Sequence, residues 1–339
     1  MKFSVGTFNV ESLVTPGKAI YDNKKPRYTP QQYQAKIDWT KNQLLTMDAD
    51  IIGFQEVFDE RSLRDCISGT PYEHWHLFFG TREFNKGGNA LLSKFPILSA
   101  QSIDEIPFVF DFFDSARTVT EHPNPISIPI KRFSRSLIRA EIQLRDDTIM
   151  IVYVAHLKSK HPILPDGLDR DKASYAELAK GSVRSLIRRG IESAGVRTLL
   201  SQDIDKDIKK PIVFVGDLND TDTAVTNQII LGPPPFFRLE ADERAAKWQY
   251  TFQDSVDIQA RKSINNFHFT YIHNGHHESL DNIFVSNHFA LLNQHAIGRV
   301  IDIRAYNDHV IDDTISFDRK PISVSDHGQV VMNVVLFER

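Results

Sequence analysis

Eight short apolar and β-branched runs recur along the chain, and they constrain its fold more than any other feature. They lie at residues 3–10, 51–54, 90–93, 137–144, 149–155, 212–215, 282–285 and 330–336. Each run has the length of a buried strand, and amphipathic helical stretches lie between several of them. This alternation predicts an α/β sandwich, in which helices cover β-sheets.

Two long helices are predicted between these strands. The first follows Thr29, which is a suitable N-cap before Pro30 at the first helical position, and Gln32 can close a capping box. It should continue through Met47. The second covers residues 171–201 and is rich in arginine, so we expect most of its arginines to form a solvated face. These arginines are Arg184, Arg188, Arg189 and Arg197.

The 339 residues suffice for one large domain or two small ones. No repeat, low-complexity tract or linker-like block divides the chain, so the sequence predicts a single domain over residues 1–339. Residues 102–135 differ from the rest in their many aromatic and acidic side chains and their proline-rich end. We expect this segment to be a long surface excursion.

Composition excludes several classes of protein. The formal net charge of −4 argues against a domain that holds nucleic acid by bulk electrostatics, although an enzyme can use a local basic patch. The single cysteine, Cys66, excludes an internal disulfide and a cysteine metal cage. No apolar run approaches the roughly 20 residues of a membrane span, and the first residues lack signal-peptide features. We therefore expect a cytoplasmic protein.

Six short polar clusters adjoin the ends of apolar runs. Taken singly, each has an ordinary explanation, such as a turn-forming asparagine, a solvated carboxylate or a hydrogen-bonded structural histidine. Together they predict that polar groups converge at one edge of the sheets. The clusters are Thr7-Phe8-Asn9, Gln55-Glu56, residues 156–160, residues 216–220, residues 279–282 and Ser325-Asp326-His327.

Carboxylate and amide groups in these clusters suit a hard cation. Hydrolysis of a phosphate ester needs a cation for the phosphoryl oxygens, a group that orients water, donors for the developing charge, and help for the leaving oxygen. Mg²⁺ keeps most of its waters and binds through one or two carboxylates. Glu56, with Asn9 or Asp326 nearby, is therefore the predicted metal site, and Mn²⁺ is an alternative ion.

The remaining clusters supply the other chemical roles. Asp217 is the predicted water-orienting base. Asn219 and His156 are predicted donors to the phosphoryl oxygens, and His327 is expected to be held in its tautomer by Asp281.

At these residues the sequence resembles the endonuclease/exonuclease/phosphatase superfamily, in particular its pancreatic deoxyribonuclease-like and bacterial nuclease-like members. The resemblance covers nearly the whole chain. It implies a four-layer α/β/β/α sandwich of two packed mixed sheets flanked by helices. The matching motifs, in the family's order, are Phe8-Asn9, Gln55-Glu56, His156, Gly216-Asp217-Leu218-Asn219, Leu280-Asp281 and Ser325-Asp326-His327.

The resemblance also implies roles for particular residues. It makes Glu56 the principal metal ligand, Asp217 the activator of water, His327 a transition-state partner and Asp281 the residue that orients His327. The stretch Phe133-Ser134-Arg135 resembles the family segment whose arginine meets a backbone phosphate. Arg135 is therefore a predicted substrate contact.

Departures from the family bear on the substrate. His277-Glu278 stand where abasic-site nucleases often place a tryptophan, and Leu280-Asp281-Asn282 replace the CDR motif of inositol polyphosphate phosphatases. Both functions are therefore disfavoured. Residues 156–160 resemble instead the HLKSK segment of bacterial nuclease-like members.

Three functions stay open at this point. The first is a phosphodiesterase of nucleic acid, with Arg135, Lys158 and Lys160 as the local positive patch. The second is a phosphatase or phosphodiesterase of a small, inositol or lipid phosphate, with residues 102–135 as a lid or membrane-facing loop. The third is a binding protein that kept the fold and lost the chemistry, which the complete set of motif residues disfavours.

Overall fold

The structure, a computed structural model, describes residues 1–21, 25–80, 86–112, 126–234, 238–262, 268–290, 293, 295–312 and 320–338. Its strands are β1 (Lys2–Leu13), β2 (Ile51–Val57), β3 (His76–Phe79), β4 (Gly88–Ser93), β5 (Ile97–Glu105), β6 (Phe110–Phe112), β7 (Ile126–Ile128), β8 (Arg132–Arg145), β9 (Thr148–His156), β10 (Ile212–Asp217), β11 (Phe252–Asp254), β12 (Tyr271–His273), β13 (His276–Glu278), β14 (Asp281–Ser286), β15 (Gly298–Tyr306) and β16 (Gln329–Leu336). Its helices are α1 (Pro30–Met47), α2 (Glu60–Ile67), α3 (Tyr175–Lys206), α4 (Val225–Leu231), α5 (Ala241–Trp248) and α6 (Ser255–Ala260), with 3₁₀ turns at Arg170–Lys172 and Asn287–Phe289.

Two mixed six-stranded sheets form the centre of the molecule. The first has the order β15-β16-β1-β2-β4-β3, and the second has the order β11-β14-β10-β9-β8-β5. Each contains one parallel pair, β1 with β2 and β9 with β10, and its other neighbours are antiparallel. All eight predicted strands are confirmed. Within the two six-stranded sheets, the pattern missed four strands, the edge strands β3, β5, β11 and β15. It also missed the strands of two small two-stranded sheets, β6 with β7 and β12 with β13.

Alternating burial divides the molecule into four layers. On β1, Phe3 and Val5 face the second sheet, whereas Phe8 and Val10 pack with the apolar faces of α1 and α2. On the far side of the second sheet, α3 and α4 cover a third apolar cluster. Side chains of a strand alternate between its two faces, so a strand between two layers must be apolar on both. The predicted four-layer α/β/β/α sandwich is confirmed.

Both long helices are present. The helix α1 has the predicted capping box, in which the Thr29 hydroxyl accepts from the Gln32 amide N–H at 3.2 Å and the Gln32 side chain accepts from the Thr29 N–H at 2.9 Å. The helix α3 begins later than predicted because Ser174 caps it by accepting from the Glu177 N–H at 3.2 Å. It also extends beyond the predicted end, to Lys206. The 3₁₀ turn Arg170–Lys172 precedes this cap.

The predicted excursion at residues 102–135 is narrower than expected. Strand β5 continues to Glu105, which pairs with Arg132 of β8, so both ends of the segment belong to the second sheet. Between them β6 and β7 form a two-stranded sheet, and Ile106 and Phe133 are buried in the cluster beneath α3. Residues 113–125 lie outside the described residues.

The first and last described strands are neighbours, since Lys2 of β1 pairs with Val335 of β16. We keep the single domain over residues 1–339 as our interpretation. Among the helices of the described residues, none combines the length and the apolar character needed to cross a bilayer.

The close approach of the two sheets generates a prediction about stability. A Cβ at Gly53 of β2 would lie 2.6 Å from Val215 Cγ2 and 3.0 Å from Val154 Cγ1 of the opposite sheet. Gly53→Ala should therefore lower the free energy of unfolding by about 1–3 kcal/mol through overpacking. Gly190 of α3 has no atom within 4 Å of such a Cβ, so Gly190→Ala should raise it by up to about 1 kcal/mol. Urea unfolding of both variants tests this, and equal effects would contradict the packing argument.

Candidate active site

The two parallel strand pairs carry their polar clusters to one end of the sandwich. Strands β1 and β2 end near Asn9 and Glu56, and β9 and β10 end at His156 and Asp217, which are register partners. The antiparallel strand β14 begins there with Asp281, the other register partner of Asp217. The segment before β16 brings Asp326 and His327 to the same place, because the Ser325 hydroxyl donates to the Asn9 carbonyl at 2.7 Å.

Asp217 is the centre of this site and is 1% exposed. Its Oδ2 accepts from Asn9 Nδ2 at 2.9 Å and lies 3.3 Å from His156 Nε2 and 3.8 Å from His327 Nε2. Its Oδ1 accepts from the Asn219 backbone N–H at 2.9 Å. One carboxylate therefore contacts or faces residues from four of the predicted clusters.

Burial sets the protonation of Asp217 and His156. Burial and the nearby charge of Asp281 raise the pKa of Asp217 to about 7, although His327 and Asn9 act against them. Burial also holds the pKa of His156 well below its ordinary value, and the charge of Arg135 adds to this effect. At neutral pH the site thus contains a carboxyl group near its titration point beside a neutral imidazole.

His327 and Asp281 form a buried pair. The distance between His327 Nδ1 and Asp281 Oδ2 is 2.8 Å, which assigns the Nδ1 proton to this bond and leaves Nε2 toward Asp217. Burial alone would lower the pKa of His327, but the carboxylates of Asp281 and Asp217 raise it well above its ordinary value. The Thr270 hydroxyl accepts from the Asp281 N–H at 3.2 Å, and the Tyr271 ring lies 5.2 Å from the His327 ring.

A β-bulge lies at the end of β1 and β2 that carries Glu11 and Glu56. Glu11, Ser12 and Glu56 all have positive φ angles, of 46°, 57° and 60°, and the β1–β2 register shifts between Asn9 and Leu13. Non-glycine residues rarely adopt this conformation, and it concentrates at functional sites. It lets the Ser12 N–H and hydroxyl donate to Glu56 Oε2 at 3.1 and 3.3 Å.

Glu11 belongs to the same end of the site, and sequence reasoning missed it. Its Oε2 accepts from the Asp326 N–H at 3.2 Å, and it pairs with Lys25 and Lys320. Lys36 of α1 is 0% exposed, and in the described part of the chain its ammonium has no hydrogen-bond partner. Burial lowers the pKa of Lys36 to about 8 against the opposing charge of Glu11. The only signal in the sequence was the carboxylate of Glu11 itself, two residues after Asn9.

Two sets of side chains have the chemistry to hold a cation. The carboxylates of Glu56 and Asp326 offer hard oxygen donors, as Mg²⁺ prefers. The second set is Asp217, Asp281 and His327, whose ligand atoms all lie within 4.8 Å of one another. Asp281 Oδ1 is buried and has no partner among the described residues, so this set also has a donor atom to offer. Its imidazole suits softer divalent ions than Mg²⁺.

Asn9 has other partners than a cation in this structure. Its Nδ2 donates to Asp217, and its Oδ1 accepts from the Glu11 N–H at 3.0 Å. Asn9 therefore joins the two halves of the site, and a role as metal ligand stays a prediction.

The cationic side chains that were predicted to contact the substrate differ in their surroundings. Arg135 lies in the site, where its Nη1 donates to the Leu157 carbonyl at 3.2 Å and the Tyr21 hydroxyl hydrogen-bonds with both Arg135 and Glu56. Asn219 Nδ2 donates to the same Leu157 carbonyl at 3.1 Å. The predicted role of Asn219 as a phosphoryl donor would require it to exchange this bond.

The two lysines after His156 are engaged with the protein. Lys158 Nζ donates to the carbonyls of Ser159 and His161 at 2.9 and 3.1 Å, and burial beside Arg135 lowers the pKa of Lys158 to about 8. Lys160 forms an ion pair with Glu278 of β13 at 2.9 Å. Lys160 is thus neutralised within the protein, and a contact with substrate stays a prediction.

One of the arginines predicted to lie on a solvated face is buried. Arg189 of α3 is 4% exposed, and its Nε donates to Asp220 at 2.9 Å. Charge patterning missed it because the partner lies 31 residues away in the sequence.

The raised pKa of Asp217 predicts that replacing its carboxyl group changes the stability of the protein in a pH-dependent way. The unfolded chain loses this proton near pH 4, whereas the folded protein holds it to about pH 7. The folded state therefore binds more protons in this interval, and its stability falls as the pH rises through it. The side chain of Asp217→Asn stays neutral at all these pH values. Its free energy of unfolding, relative to that of wild type, should therefore rise by on the order of 2 kcal/mol from pH 5 to pH 8. Urea unfolding of metal-free protein at both pH values tests this, and a pH-independent difference would refute it.

Comparison with known proteins agrees with this geometry. The sequence profile of the Endonuclease/Exonuclease/phosphatase family matches residues 6–327. No curated protein sequence matches the chain.

Solved structures share the fold at low sequence identity. Truncated TDP2 from Caenorhabditis elegans is 13% identical with a TM-score of 0.54, and the match covers 98% of this chain and 97% of that one. TDP2 from D. rerio, complexed with a single-strand DNA product, is 12% identical with a TM-score of 0.54, covering 98% and 99%. An endonuclease/exonuclease/phosphatase from Bacteroides vulgatus is 14% identical with a TM-score of 0.52, covering 99% and 100%.

Proposed function

The chain belongs to the endonuclease/exonuclease/phosphatase family and is a phosphoester hydrolase, and we propose that it is a Mg²⁺-dependent phosphodiesterase that cuts nucleic acid. The observation that carries this proposal is the position of Asp217, whose Oδ2 lies 3.3 Å from His156 Nε2 and 3.8 Å from His327 Nε2. A carboxylate with a pKa of about 7 accepts a proton from water near neutral pH. Mn²⁺ is the alternative ion.

The other groups fit in-line attack on a phosphate. Asp217 orients the attacking water and takes its proton. His327, held by Asp281 at 2.8 Å, presents Nε2 as a donor to a phosphoryl oxygen. Arg135 binds the phosphate, which suits a planar guanidinium, and His156 supplies a further neutral donor.

Glu56 and Asp326 are the residues that would hold the cation. A bound divalent cation neutralises the phosphoryl oxygens and the leaving oxygen. Glu56 accepts from Ser12 of the bulge, and the Asp326 N–H donates to Glu11 of the same bulge. We assign the metal to Glu56 and Asp326, and the acid–base chemistry to Asp217 and His327.

Nucleic acid is the proposed substrate for two reasons. A structure with the same fold, D. rerio TDP2, was solved with a single-strand DNA product. Arg135 also places positive charge beside Asp217, and Lys158 adds charge beside Arg135, as phosphate recognition requires.

One observation favours the second candidate function, a phosphatase or phosphodiesterase of a small, inositol or lipid phosphate. Lys160 is paired with Glu278, so the local positive patch is smaller than the sequence predicted. A small ester needs only one phosphate contact and no extended basic groove.

Nicking of supercoiled plasmid tests the proposal. Wild-type protein should nick in Mg²⁺ or Mn²⁺, should lose activity with a chelator, and should lose it steeply as salt increases. Asp217→Asn should lose at least about 100-fold in rate, because the base is removed. Asp302→Asn on the edge strand β15, where the carboxylate binds Asn333, should retain wild-type activity. A wild type that leaves DNA intact but hydrolyses small phosphate esters would favour the second candidate.

Asp281→Asn separates the two possible roles of its carboxylate. If Asp281 orients His327, the variant should lose on the order of 100-fold or more in kcat, while the Mg²⁺ concentration for half-maximal activity stays unchanged. Steady-state kinetics across a Mg²⁺ titration measure both quantities. A large increase in the Mg²⁺ requirement would instead identify Asp281 as a metal ligand.

A further inference from the structure

One turn of α3 holds the loops that carry Arg135 and the Leu157 carbonyl. Glu192 in this turn is 0% exposed. Its Oε1 accepts from the Ser134 N–H at 2.8 Å and from the Ser134 hydroxyl at 2.6 Å. Its Oε2 accepts from the Lys158 N–H at 2.8 Å. A single buried carboxylate therefore joins the start of β8 to the segment after β9.

These bonds are strong and directional. A buried carboxylate is tolerated only when donors satisfy it, and hydrogen bonds to a charged acceptor are short and roughly twice as strong as neutral ones. Arg188 adds a further donor to Glu192 at 3.3 Å and also donates to the Ser134 hydroxyl at 2.8 Å. The backbone at Ser134 is thus fixed one residue before the arginine of the site.

Arg189 fixes the other side of the Lys158 peptide. Its Nη1 donates to the Lys158 carbonyl at 3.1 Å, and its Nε donates to Asp220 at 2.9 Å. The segment after His156 is therefore bound by Glu192 through one N–H and by Arg189 through one carbonyl. Leu157, which directly precedes Lys158, presents its carbonyl to Arg135 at 3.2 Å.

We propose that Glu192 is a positioning residue for phosphate binding, which acts through Arg135 without touching the substrate. Its bonds fix Ser134 and Lys158, and those segments place the Arg135 guanidinium relative to the Leu157 carbonyl. This inference rests on the proposed function in one respect, namely that Arg135 binds the phosphate of the substrate.

The same helix offers a matched control. Asp203 of α3 is also buried, and it joins the same two strands through Arg139 Nε of β8 at 2.7 Å and the Tyr153 hydroxyl of β9 at 2.6 Å. Arg139 follows the site end of β8, and Tyr153 precedes the site end of β9. This second link therefore lies away from the site. Loss of either carboxylate should lower the free energy of unfolding, but only the loss of Glu192 should lower phosphate affinity.

The test is a double-mutant cycle of Glu192→Gln with Arg135→Met, with inorganic phosphate as the probe. Isothermal titration should show phosphate affinity about 10-fold weaker for each single variant. The double variant should be no weaker than Arg135→Met alone, because Glu192 then has nothing to position. Asp203→Asn should bind phosphate as wild type does. Additive losses, or a loss in Asp203→Asn as large as in Glu192→Gln, would overturn the proposal.

Two further measurements keep the test decisive. If Glu192→Gln does not fold, Ser134→Ala can replace it, because it removes one donor from the same carboxylate. Ser134→Ala should lower phosphate affinity by a smaller factor, and only when Arg135 is present. An equal loss of affinity on adding Ser134→Ala to Arg135→Met would overturn the proposal. Hydrogen exchange of the Ser134 and Lys158 amides should accelerate in Glu192→Gln and not in Asp203→Asn. Since phosphate binding and exchange require no turnover, a wild type that binds phosphate but cuts no DNA would sink the nuclease proposal and leave this inference standing.

Discussion

The hydrogen bond from Asn9 to Asp217 joins the two sheets at the point where their apolar packing ends. It connects residues 208 positions apart, at 2.9 Å, and both partners are almost fully buried. Asp217 could not stay in this position without such donors, because a buried carboxylate needs them. The distances from Asp217 to His156 and His327 follow from this bond and from the strand register. The geometry of the site is therefore a consequence of how the sheets meet.

The carboxylates of the site differ in how much positive charge compensates them. Glu11 pairs with Lys25 and Lys320, and their charges, with that of Lys36, lower its pKa despite burial. Asp281 has His327 at 2.8 Å. Asp217 has the neutral groups Asn9 and His156 within 3.3 Å and the charge of His327 only at 3.8 Å, and burial raises its pKa. A group with little compensation is the one that can exchange a proton near neutral pH, which is why Asp217 and not Glu11 suits the role of base.

The features that could be predicted from the sequence are those that a local pattern of residues encodes. The central strands are apolar on both faces, so all of them were found, whereas the four edge strands have mixed burial and were missed. The capping box at Thr29 and Gln32 was found because its residues lie within one turn. Bonds between distant residues leave no such trace. Glu192 binds Ser134 at a separation of 58 residues, and Lys36 resembles an ordinary polar position of an amphipathic helix.

The helix α3 shows how one element can serve both the core and the site. Val196 and Leu200, in its C-terminal half, are buried in the apolar cluster above the second sheet. Its turn at residues 188–192 instead buries charged groups, which an apolar core would exclude unless each had a partner. Those partners are backbone groups of the segments that flank Arg135 and Leu157. Burial of charge at this turn is therefore explained by the polar backbone of the neighbouring site segments. This turn cannot be repacked with apolar residues without leaving those backbone groups unpaired.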